Sequence, residues 1–427
     1  MSNQKHSRGK KGPKKVPTPD WKAIATKSKH EGAVGGFAGF KAGKVLCDNH
    51  SNSKSRSEVE IDLAARQLEH CLEAWNFLSQ AAWALLNAQT NQAIHMAYYT
   101  EVRAADSLLA STGIAVKSMP SYYLSQGDVR YDIKGRQAGT HSLIRNIWPY
   151  WCKRPDAESI FNDLRVVQSV SLKDVGDTLG LGAGRQNKLL SWGYELVNLS
   201  KDHQSRNTAS YEVLSSYNGI ESLQSRDYRE LLAKVWQHMA PAGNEGQFRF
   251  EVLYAQYLIW SYCHDFATQP NVQDYEAEYL VKFDSIINRM STNTGVPEPT
   301  LRMALDSGSE KDPLFEIFEL ASDQKAEAEN VFVRAFILAR LATSKLNTNL
   351  SVSGCHNGLD WIRAWLYEIG VLNDGDAPED VALNSEQLIE NAISVADVSL
   401  RRVWSDVSAE AATTCRLNSG ICWGLGF

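Results

Sequence analysis

The stretch SEVEIDLAARQLEHCLEAWNFLSQAAWALLNAQ, residues 57–89, decides the fold class of this chain. Ser57 and Glu60 have the spacing of a helix-capping box. Behind them, apolar residues recur every three or four positions, at 61, 64, 68, 72, 75 and 78. That period places the apolar side chains on one face of a long helix. The sequence therefore predicts an amphipathic helix that packs against a partner.

The partner follows directly. Residues 90–113, TNQAIHMAYYTEVRAADSLLASTG, carry a second helical stripe that ends at Thr112-Gly113. Two long helices joined by a short polar link pack antiparallel. Helical patterns return further along, between loops rich in Gly, Pro, Asn and Asp, at 226–239, 247–267, 274–290, 326–346, 358–372 and 385–407. No stretch alternates with the period of a strand, so we predict an all-α fold.

The length of the chain and the distribution of its charges indicate a tail followed by two domains. The 427 residues suit two or three domains, and a hydrophobic content of 43% is enough for a sizeable core. Residues 1–57 hold 13 Lys/Arg against 3 Asp/Glu, whereas the remainder holds 31 against 47. We predict a basic disordered tail with a Gly-rich linker over 1–57, a helical bundle over 58–216, and a second α-helical domain of unknown role over 217–427.

Composition also excludes several classes of protein. The basic, polar N-terminus and the lack of a long uncharged apolar stretch indicate neither a secretory signal nor a membrane span. The 7 cysteines form no CxxC pair, and the Cys-His pairs near 47, 263 and 355 lack the spacing of a zinc site. GLGAG at 180–184 follows no strand, so it indicates a turn. We expect a cytoplasmic protein without a metal or another cofactor.

The basic tail suggests a polyanionic partner. A cationic arm on an acidic body can hold RNA or another nucleic acid, because Lys and Arg release counterions from the phosphate backbone. The alternative is a tail that only solubilises or localises the protein.

Three short strings carry a family resemblance. They are HMAYYTEVRAA at 95–105, GTH at 139–141 with Trp148 seven residues on, and RNTASY at 206–211. Over residues 58–216 the chain resembles the HEPN group of helical-bundle proteins, found in prokaryotic toxins, CRISPR effectors and anti-phage defence. The resemblance implies a HEPN-like antiparallel helical bundle that pairs as a C2 homodimer, since two copies of the motif then share one site.

The resemblance also implies candidate catalytic residues. Active HEPN ribonucleases carry Arg, often followed by Asn, and then His after four to six residues. Arg206-Asn207 matches the first half of that pattern, but Tyr211 stands where His is expected. A phenol is a poor base at neutral pH, although it can donate a hydrogen bond. His203 could substitute sterically, and a literal Arg-x4-His occurs at Arg136 and His141.

These residue types suit cleavage of RNA without a metal ion. Arginine binds a phosphate through two parallel hydrogen bonds, and histidine titrates near neutral pH. On the second helix His95, Tyr99 and Arg103 are four apart and share a face, which could form the polar floor of an RNA site. Two alternatives stay open: the stripe could be a buried hydrogen-bond network, and His141 could cap or anchor the helix that follows it.

The leading prediction is a prokaryotic defence or toxin-type HEPN-like protein that binds RNA and acts as a metal-independent endoribonuclease. Arg206, Asn207, Tyr211 and His141 are its candidate catalytic residues, and His95, Tyr99, Arg103 and Arg136 its candidate substrate-binding residues. The alternative is a catalytically silent helical scaffold or adaptor that works with a partner protein from the same operon.

Overall fold

The computed structural model describes residues 18–38, 56–87, 89–117, 120–133, 139–154, 157, 160–167, 169–180, 228–239, 249–270, 272–306, 328–355, 362–364, 366–368 and 417. The described part of the chain is mostly helical, which agrees with the predicted fold class. Its helices are α1 (Trp21–Lys27), α2 (Val34–Ala38), α3 (Arg56–Leu86), α4 (Thr90–Ser111), α5 (Gly139–Trp151), α6 (Ile160–Asp163), α7 (Leu172–Thr178), α8 (Tyr228–Met239), α9 (Arg249–Ala267), α10 (Tyr275–Thr294), α11 (Glu298–Leu305) and α12 (Ala328–Val352).

The helix pair predicted from residues 57–113 is present as α3 and α4. The two helices are joined at residues 87–89 and pack along their length. The buried side of α3 carries the predicted apolar stripe, with Leu68, Leu72 and Trp75 in the core. Gly113 ends α4 with a φ of +89°, a left-handed conformation that a side chain would disfavour. The sequence thus predicted both helices and the stop at the end of the second.

Most of the later helices also lie where the hydrophobic period predicts them. Helices α8, α9, α10 and α12 fall on the four predicted segments between 226 and 346. In the next segment, 358–372, the described residues 362–364 and 366–368 are helical. The last segment, 385–407, lies outside the described residues.

Five short strands were not predicted. Strands β1 (Ile114–Ala115), β2 (Tyr122–Leu124) and β3 (Arg130–Asp132) form an antiparallel sheet in that order, and β4 (Arg165–Val167) pairs with β5 (Val170–Ser171). Each strand has only two or three residues. Such a length is too short for alternation of apolar and polar residues to be visible in the sequence.

The structure differs from the expected tail and linker in residues 21–38. Helix α1 packs on α5, with Ile24 and Ala25 buried, and Arg154 donates a 2.9 Å hydrogen bond to the carbonyl of Ala25. Helix α2 packs so closely on α3 that a Cβ at Gly36 would lie 1.9 Å from the carbonyl oxygen of Glu60. Residues 21–38 therefore belong to the folded body, and the basic segment before them, residues 1–17, lies outside the described residues.

Helix α12 is the most buried of the long helices that the structure describes, and it packs against both α3 and α4. Trp75 of α3 donates a 2.7 Å hydrogen bond to Thr343, and Asn349 donates one of 2.9 Å to Gln67. These contacts cross the domain boundary predicted near residue 217, which itself lies outside the described residues. Whether residues 58–216 and 217–427 fold separately stays a prediction.

Buried ion pairs hold α12 in this position. Arg334 lies 3.5 Å from Glu101 of α4, and Arg340 lies 2.5 Å from Glu251 of α9. All four side chains are at most 5% exposed. A buried charge is costly unless an opposite charge compensates it, so each arginine fixes the distance between α12 and a neighbouring helix.

Candidate functional site

Helices α3 and α4 bring two polar stripes together. On α4, His95, Tyr99 and Arg103 follow at intervals of four, and Asp106 is three residues further on. The facing stripe on α3 has a similar spacing, with His70, Glu73 and Phe77. Because residues three or four apart lie on one helix face, both stripes meet along the contact between the helices. The buried His70 and five half-buried residues, Glu73, His95, Tyr99, Arg103 and His141, form a surface that we call the histidine–arginine surface.

The aromatic end of this surface is organised around Tyr99. The ring centroid of His95 is 5.0 Å from that of Tyr99, and the centroid of Phe77 is 5.3 Å from it. His141 approaches from α5, edge-on to Tyr99 at 5.2 Å. His141, which was predicted separately from the stripe that holds His95 and Tyr99, is therefore a neighbour of that stripe in the fold.

His141 owes its place to the start of α5. Gly139 has a φ of +73° and begins the helix, so His141 lies in its first turn. The ring of His141 is also 5.9 Å from that of the buried Tyr98. The anchoring role that was left open in the sequence fits this contact, because the imidazole packs on α4; the ring is also half-exposed, which a reacting group requires.

The charged end lies one turn further along α4. Nδ1 of His70 is within hydrogen-bonding distance of Glu73, at 2.9 Å, and its Nε2 is 3.2 Å from a carboxylate oxygen of Asp106. Nε of Arg103 is 3.1 Å from the same Glu73 oxygen. The Arg103 and Glu73 side chains are 29% and 37% exposed, so this pair faces water. Asp106 lies behind it and is buried.

The two carboxylates respond oppositely to this environment. Burial works against ionisation of Glu73, but the hydrogen bond with His70 and the charges of His70 and Arg103 outweigh it, so the pKa of Glu73 is lowered. At Asp106 burial prevails and raises the pKa, although His70, Arg66 and Arg103 favour the ionised form. Glu73 is thus the anion that compensates the cationic side chains at the surface.

A second polar cluster extends the α3 stripe away from Tyr99. Asp62 accepts a hydrogen bond from the Tyr122 hydroxyl, and it lies 2.7 Å from Nζ of Lys117 and 3.5 Å from Nε of Arg66. The cations of this cluster are already paired with Asp62, so it joins α3 to β2 and to Lys117, which follows β1. We assign it a structural role.

The remaining predicted residues cannot be placed. Arg206, Asn207, Tyr211 and Arg136 all lie outside the described residues. The sequence had missed His70, Glu73 and Asp106. Their spacing on α3 and α4 was a usable signal, but it was hidden because His70 and Glu73 lie between apolar positions of a stripe that indicated core packing.

The chemistry that this surface supports is proton transfer beside a cation. Two imidazoles flank one tyrosine ring, and a guanidinium follows one helical turn later. Among the described residues, no group of three or more His, Cys, Asp or Glu side chains could hold a metal ion. None of the helices in the described ranges combines the length and apolar character that crossing a membrane requires.

Comparison with known proteins does not assign the chain to a family. No family model matches the sequence, and no curated protein or solved structure matches it at a significant level. The HEPN-like resemblance therefore stays a prediction from the residues quoted above.

Proposed function

We propose that this protein binds RNA at the histidine–arginine surface and cleaves it without a metal ion. The observation that supports this most is the position of His95 and His141, both within 5.2 Å of the Tyr99 ring, which itself is one helical turn from Arg103. Metal-independent cleavage of RNA needs a base, an acid and a cation at one phosphate, and these three residues supply them.

In the proposed reaction one imidazole removes the proton from a ribose 2′-hydroxyl. The 2′-oxygen then bonds to the adjacent phosphorus, and the bond from phosphorus to the 5′-oxygen breaks. The other imidazole gives its proton to that leaving oxygen. The products are a 2′,3′-cyclic phosphate and a 5′-hydroxyl. Arg103 stabilises the negative charge that grows on the phosphate oxygens.

For this reaction Arg103, which interacts with Glu73, must also contact the phosphate. In the free protein its Nε faces Glu73 and its Nη1 lies 3.5 Å from Nδ1 of His70, so a phosphate binds through Nη2 or takes the place of Glu73. Arg206 and Asn207, which match the Arg-Asn pair of HEPN ribonucleases, are proposed as a second phosphate grip. The proposal includes the C2 homodimer through residues 58–216, which light scattering at micromolar concentration tests.

The decisive experiment uses a 5′-labelled single-stranded RNA in the presence of EDTA. We expect cleavage with cyclic-phosphate ends, reduced about 10²- to 10⁴-fold by His95→Asn or His141→Asn. Arg103→Gln and Arg206→Ala test the two phosphate contacts. His264→Asn is the matched control, because His264 is a half-exposed histidine of α9 outside the proposed site. Thermal melts confirm that each variant folds.

The adaptor alternative has one observation in its favour. Arg103 is already engaged by Glu73, and its Nη1 lies 3.5 Å from Nδ1 of His70, which is the arrangement of a structural network. A silent scaffold would leave the RNA intact, both alone and with the products of neighbouring genes. That outcome would reject the ribonuclease proposal.

A further inference from the structure

Helices α10 and α11 present exposed apolar side chains that the proposed RNA reaction does not use. Leu280 and Val281 of α10 are 57% and 60% exposed, and Met303 of α11 is 84% exposed. Large apolar side chains at such exposure in a soluble fold mark an interaction surface when they lie together within a polar rim.

The contacts between the two helices relate the positions of these residues. Arg302 lies 2.6 Å from Asp284, and Asn288 donates a 3.0 Å hydrogen bond to Glu298, so the helices run side by side. Leu280 is one turn before Asp284 on α10, and Met303 is the residue after Arg302 on α11. Leu280 is therefore one turn from one member of this ion pair, with Val281 beside it, and Met303 is next in the chain to the other member. We call Leu280, Val281 and Met303 the α10–α11 face.

The surroundings of this face are acidic. Residues 265–306 hold seven Asp/Glu against three Lys/Arg. Of the three cations, Lys282 lies over the Phe266 ring at 3.5 Å and Arg302 is paired with Asp284. Asp265, Asp274 and Glu276 are exposed at the end of α9 and the start of α10. The face thus combines apolar contacts with a negative rim.

The negative charge around the α10–α11 face limits which molecules can bind there. RNA and anionic membranes are repelled by an acidic surface. A second copy in a two-fold contact would bring the same acidic rim against itself. The basic residues 1–17 of this chain match the charge with six Lys/Arg, but Met1 and Val16 are their only aliphatic or aromatic side chains apart from the prolines. A suitable occupant must carry both cations and an apolar stripe.

We propose that the α10–α11 face docks a basic amphipathic helix of a partner protein. The apolar stripe of that helix covers Leu280, Val281 and Met303, and its Lys and Arg side chains meet the acidic rim. The proposal is independent of the RNA reaction, because it concerns different helices and a different ligand.

The test is a binding assay with a defined probe. The probe is a fluorescein-labelled 18-residue peptide of Leu and Lys with leucines at helical spacing, and the protein is the full chain. We expect Leu280→Ser/Val281→Ser to weaken binding at least tenfold, and Glu276→Lys to weaken it severalfold. Val352→Ser is the matched control, since Val352 is an apolar residue 71% exposed at the end of α12, and it should leave binding unchanged.

Three outcomes would overturn the proposal. The first is equal binding of the probe by the double variant and by Val352→Ser. The second is equal binding of a peptide with the same composition and scrambled leucines, which would mean that charge alone is recognised. The third is self-association that the double variant abolishes, which would make a second copy the occupant. All substituted residues are exposed, and circular dichroism checks that the helices are retained.

Discussion

Arginine pairs with glutamate in two settings in this protein, and the settings differ in their access to water. Arg340 and Glu251 are 5% and 1% exposed, between α12 and α9. Arg103 and Glu73 are 29% and 37% exposed, on the histidine–arginine surface. In the first setting burial keeps water and phosphate away from the charges. In the second, water or a phosphate can replace the glutamate. Burial therefore separates a pair that fixes helices from a pair that can exchange its partner.

The largest effect should come from breaking the buried pair. Glu251→Gln removes the negative charge 2.5 Å from the buried Arg340 guanidinium, so we expect the free energy of unfolding to fall by about 3–5 kcal/mol. The corresponding change in the exposed pair, Glu73→Gln, should cost about 1 kcal/mol or less. Urea unfolding of both variants measures the difference.

A double variant tests whether the lost stability comes from the buried charge of Arg340 that remains in Glu251→Gln. Replacing both buried partners in the double variant Arg340→Met/Glu251→Leu removes both charges and should restore most of the lost stability. Equal losses for Glu251→Gln and Glu73→Gln would show that burial does not distinguish the two pairs.

The second prediction compares how much the basic tail and Arg103 of the exposed pair each contribute to the salt dependence of RNA binding. Residues 1–17 hold six Lys/Arg, and if four contact phosphates the affinity for single-stranded RNA should fall about fiftyfold between 50 and 200 mM salt. Deleting residues 1–17 should remove most of that dependence, whereas Arg103→Gln should reduce the slope by only about 0.7, or one contact.

This deletion must stop before α1. Ile24 and Ala25 are buried against the body, so removing residues 21–30 as well would disturb the core. A fluorescence titration with labelled RNA at several salt concentrations measures the slopes. Equal slopes for the full chain and the deletion would exclude the tail as a contact for nucleic acid.

The same contrast between buried and exposed residues explains how much could be predicted from the sequence. The period of apolar residues predicted α3, α4 and α12, because burial of one face leaves a repeating pattern. The partners of charged residues were not predictable: Glu101 and Arg334 are 233 positions apart, and no local pattern joins them. His95, Tyr99 and Arg103 were found because they lie on one helix, whereas His70 and Asp106 become neighbours only through packing.

The third prediction concerns the exposed pair and its ligand. Glu73→Gln removes the negative charge that competes with phosphate for Arg103, so RNA should bind a few-fold more tightly, as expected for removing one repulsive surface charge worth about 0.5–1 kcal/mol. Glu58→Gln is the matched control, since Glu58 is an exposed glutamate in the first turn of the same helix. A loss of affinity in Glu73→Gln would mean that Glu73 orients Arg103 for the phosphate.

The smallest expected effect is a difference in pH dependence between the two carboxylates around His70. The pKa of Glu73 is lowered from 4.5, so its ionised form stabilises the fold above that pH, and the contribution is lost as the pH falls through the lowered pKa. The pKa of Asp106 is raised from 3.8, so its contribution runs the other way: stability falls as the pH rises from 3.8 through the raised pKa. Relative to the wild type, Glu73→Gln should therefore lose stability as the pH rises from 3 to 7, and Asp106→Asn should gain it. Thermal melts across that range measure both slopes, and slopes of the same sign would show that burial does not separate these two carboxylates.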